Sequence, residues 1–202
     1  MTDSTTAAAA VPAPAYTYPE FRALVDQLVA AHTTSGPEQS PALARYTVQN
    51  QAHLDRSYAE PLLPELVEKL AHLPQPEQWL MLGEAWCGDT AHKLPVLAHL
   101  AAESNGRVVL HLLLRSDHPD LMAAHQTAGK NSIPKLIRRD AATGRELGTW
   151  GPRPAEAQTL SLRLHADTSL HTNQIVKTMN AWYEADQGRA VQAELLALLA
   201  AG

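Results

Sequence analysis

Two short apolar runs, residues 78–84 and residues 108–114, are separated by a stretch of helix length that ends at Ser104-Asn105-Gly106. Continuous apolar runs of this length flanked by turn residues suit strands buried on both faces, and a helical connection between them makes the strands parallel, right-handed neighbours. That unit restricts the chain to an α/β fold and places the end of the first strand, the start of the helix and the end of the second strand along one sheet edge. Ligand sites of open α/β sheets lie at such edges.

The rest of the chain can be arranged around this unit. Asp117, His118 and Pro119 open a further helix expected to end near Gly129, and residues 135–139 and 146–150 read as two strands joined by a turn containing Thr143-Gly144, hence antiparallel. Upstream, Phe21, Leu24, Val25, Leu28 and Val29 mark residues 18–32 as an amphipathic helix, followed by a loop at residues 33–39. A second helix, residues 40–59, carries Leu43, Tyr46 and Leu54, and Pro64 stands at the first turn of a third through Leu66, Val67 and Leu70. Downstream, a short helix is expected at residues 155–164. A C-terminal helix then begins with Ile175, Met179 and Trp182, is interrupted at Gly188 and continues through Val191, Leu195 and Leu199. The predicted division is a disordered tail (1–16), a helical extension (17–77) and an α/β domain (78–202) whose core spans 78–150 and whose C-terminal helices span 155–200.

Composition narrows the function. Sixteen Lys and Arg against twenty-one Asp and Glu leave a net charge of −5 without a run of like charges, which disfavours nucleic acid and anionic lipid as partners. No apolar run approaches the roughly 20 residues of a membrane span, and residues 1–18 lack the basic start and apolar middle of a secretory signal. Cys87 is the only cysteine, so no intramolecular disulfide is possible, and the expected location is a reducing compartment, the cytoplasm.

The chemistry-bearing segment is Glu84-Ala85-Trp86-Cys87-Gly88-Asp89-Thr90, at the strand-to-helix junction. A cysteine capping a helix sits where unpaired N–H groups and the positive dipole end favour an anion, which can draw its pKa from about 8.5 toward 7. Thr90 can donate a hydroxyl to the thiolate, whereas Asp89 repels it and also reads as a first-turn helix stabiliser. Glu84 reads either as a proton acceptor for Cys87 or as a buried structural carboxylate. Trp86 either covers the sheet end or faces a substrate. Arg115, at the end of the second strand, can pair with Asp89 or receive an anionic substrate group. Glu84, Cys87, Asp89 and His92 match no standard zinc spacing, and neither a metal nor another cofactor is expected.

Trp86-Cys87-Gly88, followed at once by a helix, resembles the thioredoxin superfamily, whose signature is Trp-Cys-Gly-x-Cys; Thr90 stands where the second cysteine would be. Pro95 matches the helix-kinking proline of that family, and Ser132-Ile133-Pro134-Lys135 resembles its Ile-Pro segment, where the bond is cis. Within the superfamily the motif, with the segment Trp150-Gly151-Pro152-Arg153-Pro154, looks like a group of bacterial thioredoxin-like proteins with helical N-terminal extensions. The resemblance implies a three-layer α/β/α sandwich with a four-stranded mixed central sheet. It also implies a substrate edge formed by Trp86, Gly88, Ile133 and Pro134. Met81 occupies the family's buried-carboxylate position, so a proton-shuttling residue is missing together with the second thiol. The function this implies is monothiol thiol–disulfide exchange through Cys87, with a disulfide-containing protein or low-molecular-weight thiol as partner and an external thiol completing the cycle. The alternative is a non-catalytic module that binds a peptide or protein. Monothiol glutaredoxins, whose Cys-Gly-x-Ser resembles Cys87-Gly88-Asp89-Thr90, would add a shared iron–sulfur cluster, but no recognisable glutathione-binding set accompanies the motif here.

Overall fold

A computed structural model describes residues 9–200. The parallel unit forms as its pattern dictates. Strand β1 (Glu77–Gly83) is buried throughout, helix α4 (Gly88–Ala102) carries Pro95 in its interior, and strand β2 (Val108–Leu114) pairs with β1 in parallel from Glu77–Val108 to Gly83–Leu114. Strand β3 (Lys135–Asp140) lies antiparallel on the other side of β1, with Leu80 opposite Ile137, and β4 (Glu146–Trp150) is antiparallel to β3. The sheet order is β2-β1-β3-β4, the four-stranded mixed sheet expected of a thioredoxin-like fold.

Strand alternation divides the core into two layers. Trp79, Met81, Leu112 and Leu136 face one side and pack with helices α1 (Tyr18–Ala30), α2 (Pro41–Tyr58), α3 (Pro64–Ala71), α4 and α8 (Arg189–Ala200). Leu80, Leu82, Leu113 and Ile137 face the other, where Met122 of the short helix α5 (Pro119–Ala124) and Ile133 cover them. Helices α6 (Ala155–Ala166) and α7 (Thr172–Asp186) join through a smaller apolar cluster of Ala157, Met179 and Tyr183. Among the described residues no helix is long and apolar enough to cross a membrane.

Local chemistry sets the boundaries. Thr17 and Glu20 form a capping box at the start of α1, and Ser40 caps α2. Helix α5 stops well short of Gly129. Ala128 and Gly129 both take positive φ in a tight turn closed by reciprocal backbone hydrogen bonds of 3.0 and 3.1 Å between Thr127 and Lys130, a geometry no helix can run through. Gln187 and Gly188, both left-handed, separate α7 from α8 where Gly188 was expected to break the helix. Inside the sheet, Glu77 accepts from Arg138 Nε at 2.9 Å and Nη2 at 2.6 Å and from Trp79 Nε1 at 2.8 Å, so both oxygens of this buried carboxylate are hydrogen-bonded.

Of the stretch expected to be a disordered tail, residues 1–8 lie outside the described residues. Residues 9–16 run against the sheet: Tyr16 exchanges backbone hydrogen bonds of 2.8 and 2.7 Å with Leu112, and Gln78 Nε2 donates to Ala9 O at 2.7 Å. Val11 and Ala15 pack on the α5 side of the core.

Candidate functional site

Strand β1 ends at Gly83, and the glycine lets the start of α4 come close, since a Cβ there would stand 2.7 Å from Thr90 Cγ2. The chain turns through Glu84 to Trp86, with Cys87 N donating to Glu84 O at 3.1 Å, and Cys87 becomes the extended N-cap residue of α4. Its side chain makes no capping hydrogen bond and is 8% exposed; Sγ lies 3.7 Å from Ile133 O, to which it donates. The Ile133–Pro134 bond is cis. Gly151 adopts a φ of +113° beside this segment, where a Cβ would fall 2.4 Å from Pro134 O, so no other residue allows that approach of β4 to the loop before β3.

The thiol is not activated as expected. Burial, and secondly the charge of Asp89, push Cys87 up to about 11, while Thr90 and the more distant Arg153 pull weakly the other way. Desolvation of the thiolate outweighs the helix terminus. Thr90 is 1% exposed, and its hydroxyl has no hydrogen-bond partner of good geometry among the described residues.

The carboxylates have other duties. Glu84, 1% exposed, accepts from Ser35 Oγ and, at 2.8 Å, from Ser116 N, while Ser35 Oγ accepts from Ala85 N at 2.8 Å. Both Glu84 oxygens therefore fasten the loops before α2 and after β2 to the end of β1, and among the described residues no side-chain contact links Glu84 to the Cys87 thiol. Asp89 pairs with Arg153 Nη2 at 2.5 Å and accepts from the Tyr183 hydroxyl, tying α4 to the segment after β4 and to α7. Arg115 is not its partner. The Arg115 guanidinium lies over the Trp86 ring, 5.2 Å from the centroid, and its Nη1 donates to Asn131 O at 3.2 Å.

These residues surround a cleft of about 420 Å³ with Trp86, Cys87, Gly88, Asp89, Arg115 and Ile133 among its lining. Its walls come largely from outside the core, from α2 and α7. Asn50 of α2 donates to Ala85 O at 2.8 Å, and Asn50 and Asn180 of α7 bracket Gly88. Beneath the Asp89–Tyr183 contact, Lys93 is 3% exposed, has no hydrogen-bond partner for Nζ among the described residues and sits 2.9 Å from the Tyr183 ring centroid. Burial lowers it to about 7. Glu60 and Asp186 line a small void at the same lysine, and burial pushes both upward, Glu60 to about 7. His92 stacks between His53 and Tyr183, at 4.4 and 4.7 Å, and burial drives its pKa far down. No group of three His, Cys, Asp or Glu side chains among the described residues is placed to hold a metal ion.

A family model described as thioredoxin matches residues 36–184. The chain belongs to this thioredoxin family. Its match extends beyond the βαβ core into α2 and α7, the two helices that wall the cleft. Among solved structures, a Pseudomonas aeruginosa protein of unknown function is similar to this thioredoxin-family chain, with 18% identity over 92% of it and 98% of the other and a TM-score of 0.55. An HIV epitope-scaffold is similar at 19% identity, over 90% and 92% of the two chains, with a TM-score of 0.51. At these identities the likeness concerns the fold. No curated protein matches.

Sequence reasoning missed Arg153, Tyr183, Asn50 and Lys93 as parts of the site. Arg153 had a signal, the Gly151-Pro152-Arg153-Pro154 run directly after a strand at the same sheet edge; Lys93 and Asp89 stand one helical turn apart.

Proposed function

We propose that this thioredoxin-family protein is a monothiol thiol–disulfide oxidoreductase of the cytoplasm that exchanges low-molecular-weight disulfides at Cys87. The observation that carries the reading is the position of Cys87 Sγ at the wall of an approximately 420 Å³ cleft, 3.7 Å from the carbonyl that precedes Pro134. A cleft of this size takes a small molecule, since ligand pockets run from about 300 to 1,000 Å³. In the reaction, the Cys87 thiol loses its proton and the thiolate attacks one sulfur of a disulfide. A new S–S bond forms, the old one breaks, and the departing thiolate takes up a proton. With no second cysteine in the chain, an external thiol such as glutathione then attacks the mixed disulfide and returns Cys87.

A pKa near 11 makes this chemistry slow but not absent. Each unit above ambient pH costs tenfold in thiolate and returns about 10^0.45 in nucleophilicity, so a thiol raised from about 8.5 to 11 reacts roughly 25-fold more slowly at pH 7. The same burial favours the second reading, a non-catalytic cleft that holds a small ligand or peptide. Incubation with oxidised glutathione followed by mass spectrometry separates them. The expected result is a glutathione adduct on Cys87, released by excess reduced glutathione and absent from Cys87→Ser. If no adduct forms at pH 7–9 while the variant retains the biological function, the redox reading falls and the binding reading stands.

A further inference from the structure

Arg115 is the charged group of the cleft that the structure leaves uncommitted. Arg153 also lines the cleft, but its Nη2 pairs with Asp89 and its Nη1 donates to Gln158 at 3.3 Å, which leaves only the buried Nε without a partner among the described residues. Arg115 forms no ion pair among the described residues. Two contacts hold its guanidinium: the face of Trp86 beneath it and Asn131 O, which accepts from Nη1. The remaining N–H donors have no partner among the described residues. A guanidinium held over an aromatic ring with donors to spare is suited to bidentate capture of a carboxylate, and its placement lowers the entropy lost when it binds. Trp86 joins this arginine to the sulfur, because its backbone immediately precedes Cys87.

Charge in the cleft favours the same class of ligand. Asp89 is its one carboxylate, and that charge is neutralised by Arg153 and hydrogen-bonded by Tyr183. Arg115 then leaves a net positive cleft on a chain whose overall charge is −5. A cationic disulfide finds no uncommitted carboxylate there, whereas a carboxylate finds an unpaired arginine.

We propose that Arg115 is the specificity residue of this site and that it selects small acidic thiols and disulfides by binding their carboxylate while their sulfur lies at Cys87. The inference rests on the exchange reading above for its chemistry, although the carboxylate contact itself requires only the cleft.

The test compares two chromogenic disulfides, 5,5′-dithiobis(2-nitrobenzoate), which carries carboxylates, and neutral 4,4′-dithiodipyridine. For each, the reaction rate with Cys87 is divided by that of free cysteine to remove intrinsic reactivity. The wild-type protein is expected to prefer the anionic probe, with a preference that shrinks as salt is added. Arg115→Gln is expected to lower the anionic-to-neutral ratio about tenfold or more, and Arg115→Lys, which keeps the charge but not the planar fork, to lie between. A ratio unchanged in Arg115→Gln overturns the proposal. If neither probe reacts, the exchange reading fails while the carboxylate site is still decided by titration calorimetry with S-methylglutathione, which cannot exchange. Binding to wild type that weakens about tenfold in Arg115→Gln upholds the site; absence of binding, or equal binding to both proteins, overturns it.

Discussion

Replacing Lys93 by methionine should stabilise the protein at acidic and neutral pH and do little at alkaline pH. The ammonium is buried, has no hydrogen-bond partner among the described residues and is flanked by Glu60 and Asp186, both pushed upward. Its pKa falls from 10.5 to about 7, with burial as the main cause, against partial compensation from Asp89, Cys87 and Asp186 and further opposition from Arg153. The unfolded chain therefore keeps this proton up to about pH 10.5 and the folded chain releases it near 7. Between those values the unfolded state binds more protons, so stability rises with pH, and below about 7 the folded state bears the whole cost of the charge. At about 1.4 kcal/mol per unit the cost is on the order of 5 kcal/mol. A methionine of similar shape removes the charge and with it a cost of that order. Urea unfolding followed by tryptophan fluorescence at pH 6, 8 and 10 reads the difference directly. Lys93→Met should exceed wild type at pH 6, by less at pH 8, and by under about 1 kcal/mol at pH 10. A variant less stable than wild type at pH 6, or a difference that does not change with pH, would refute the reasoning.

Two other substitutions test the frame around the site. Gly151→Ala should cost at least about 2 kcal/mol in urea unfolding, because the methyl group meets Pro134 O at 2.4 Å in a backbone conformation that L-residues avoid; a loss under about 0.5 kcal/mol would mean that the loop before β3 can move aside. Arg138→Met should cost about 3–5 kcal/mol by leaving the buried Glu77 carboxyl without its arginine, and adding Glu77→Gln should recover part of that loss; equal stability of the single and double variants would show that Glu77 tolerates the loss of its arginine.

The βαβ unit could be read from sequence because burial on both faces leaves an uninterrupted apolar run. Helix periodicity located α1, α3 and α8 in the same way. The site was legible along the chain and not across it. Cys87, Trp86 and Asp89 are local to one turn, but the arginine that answers Asp89 lies after β4 and the tyrosine on α7, and nothing in the sequence spacing distinguishes Arg153 from Arg115 as the partner. Arg115 was placed at the correct edge; its seat on Trp86 depends on side-chain packing that no periodicity encodes. Glu84 stayed open between base and structural carboxylate for a related reason: the groups it accepts from, Ser35 and Ser116, lie forty-nine positions before it and thirty-two after it. The thiol pKa depends on how deeply α2 and α7 bury the start of α4, a tertiary quantity.

Strand β2 is an outer strand of the sheet, and among the described residues the antiparallel bridge between Tyr16 and Leu112 is the one backbone pairing on its free side. An unpaired outer strand is a template for a second copy of the same chain, and β2 also exposes Val109, at 49%. The short segment ahead of α1 therefore covers the middle of that outer edge. Removing it is expected to leave the cleft residues intact in sequence while opening the edge of β2 to strand-to-strand dimerisation and aggregation.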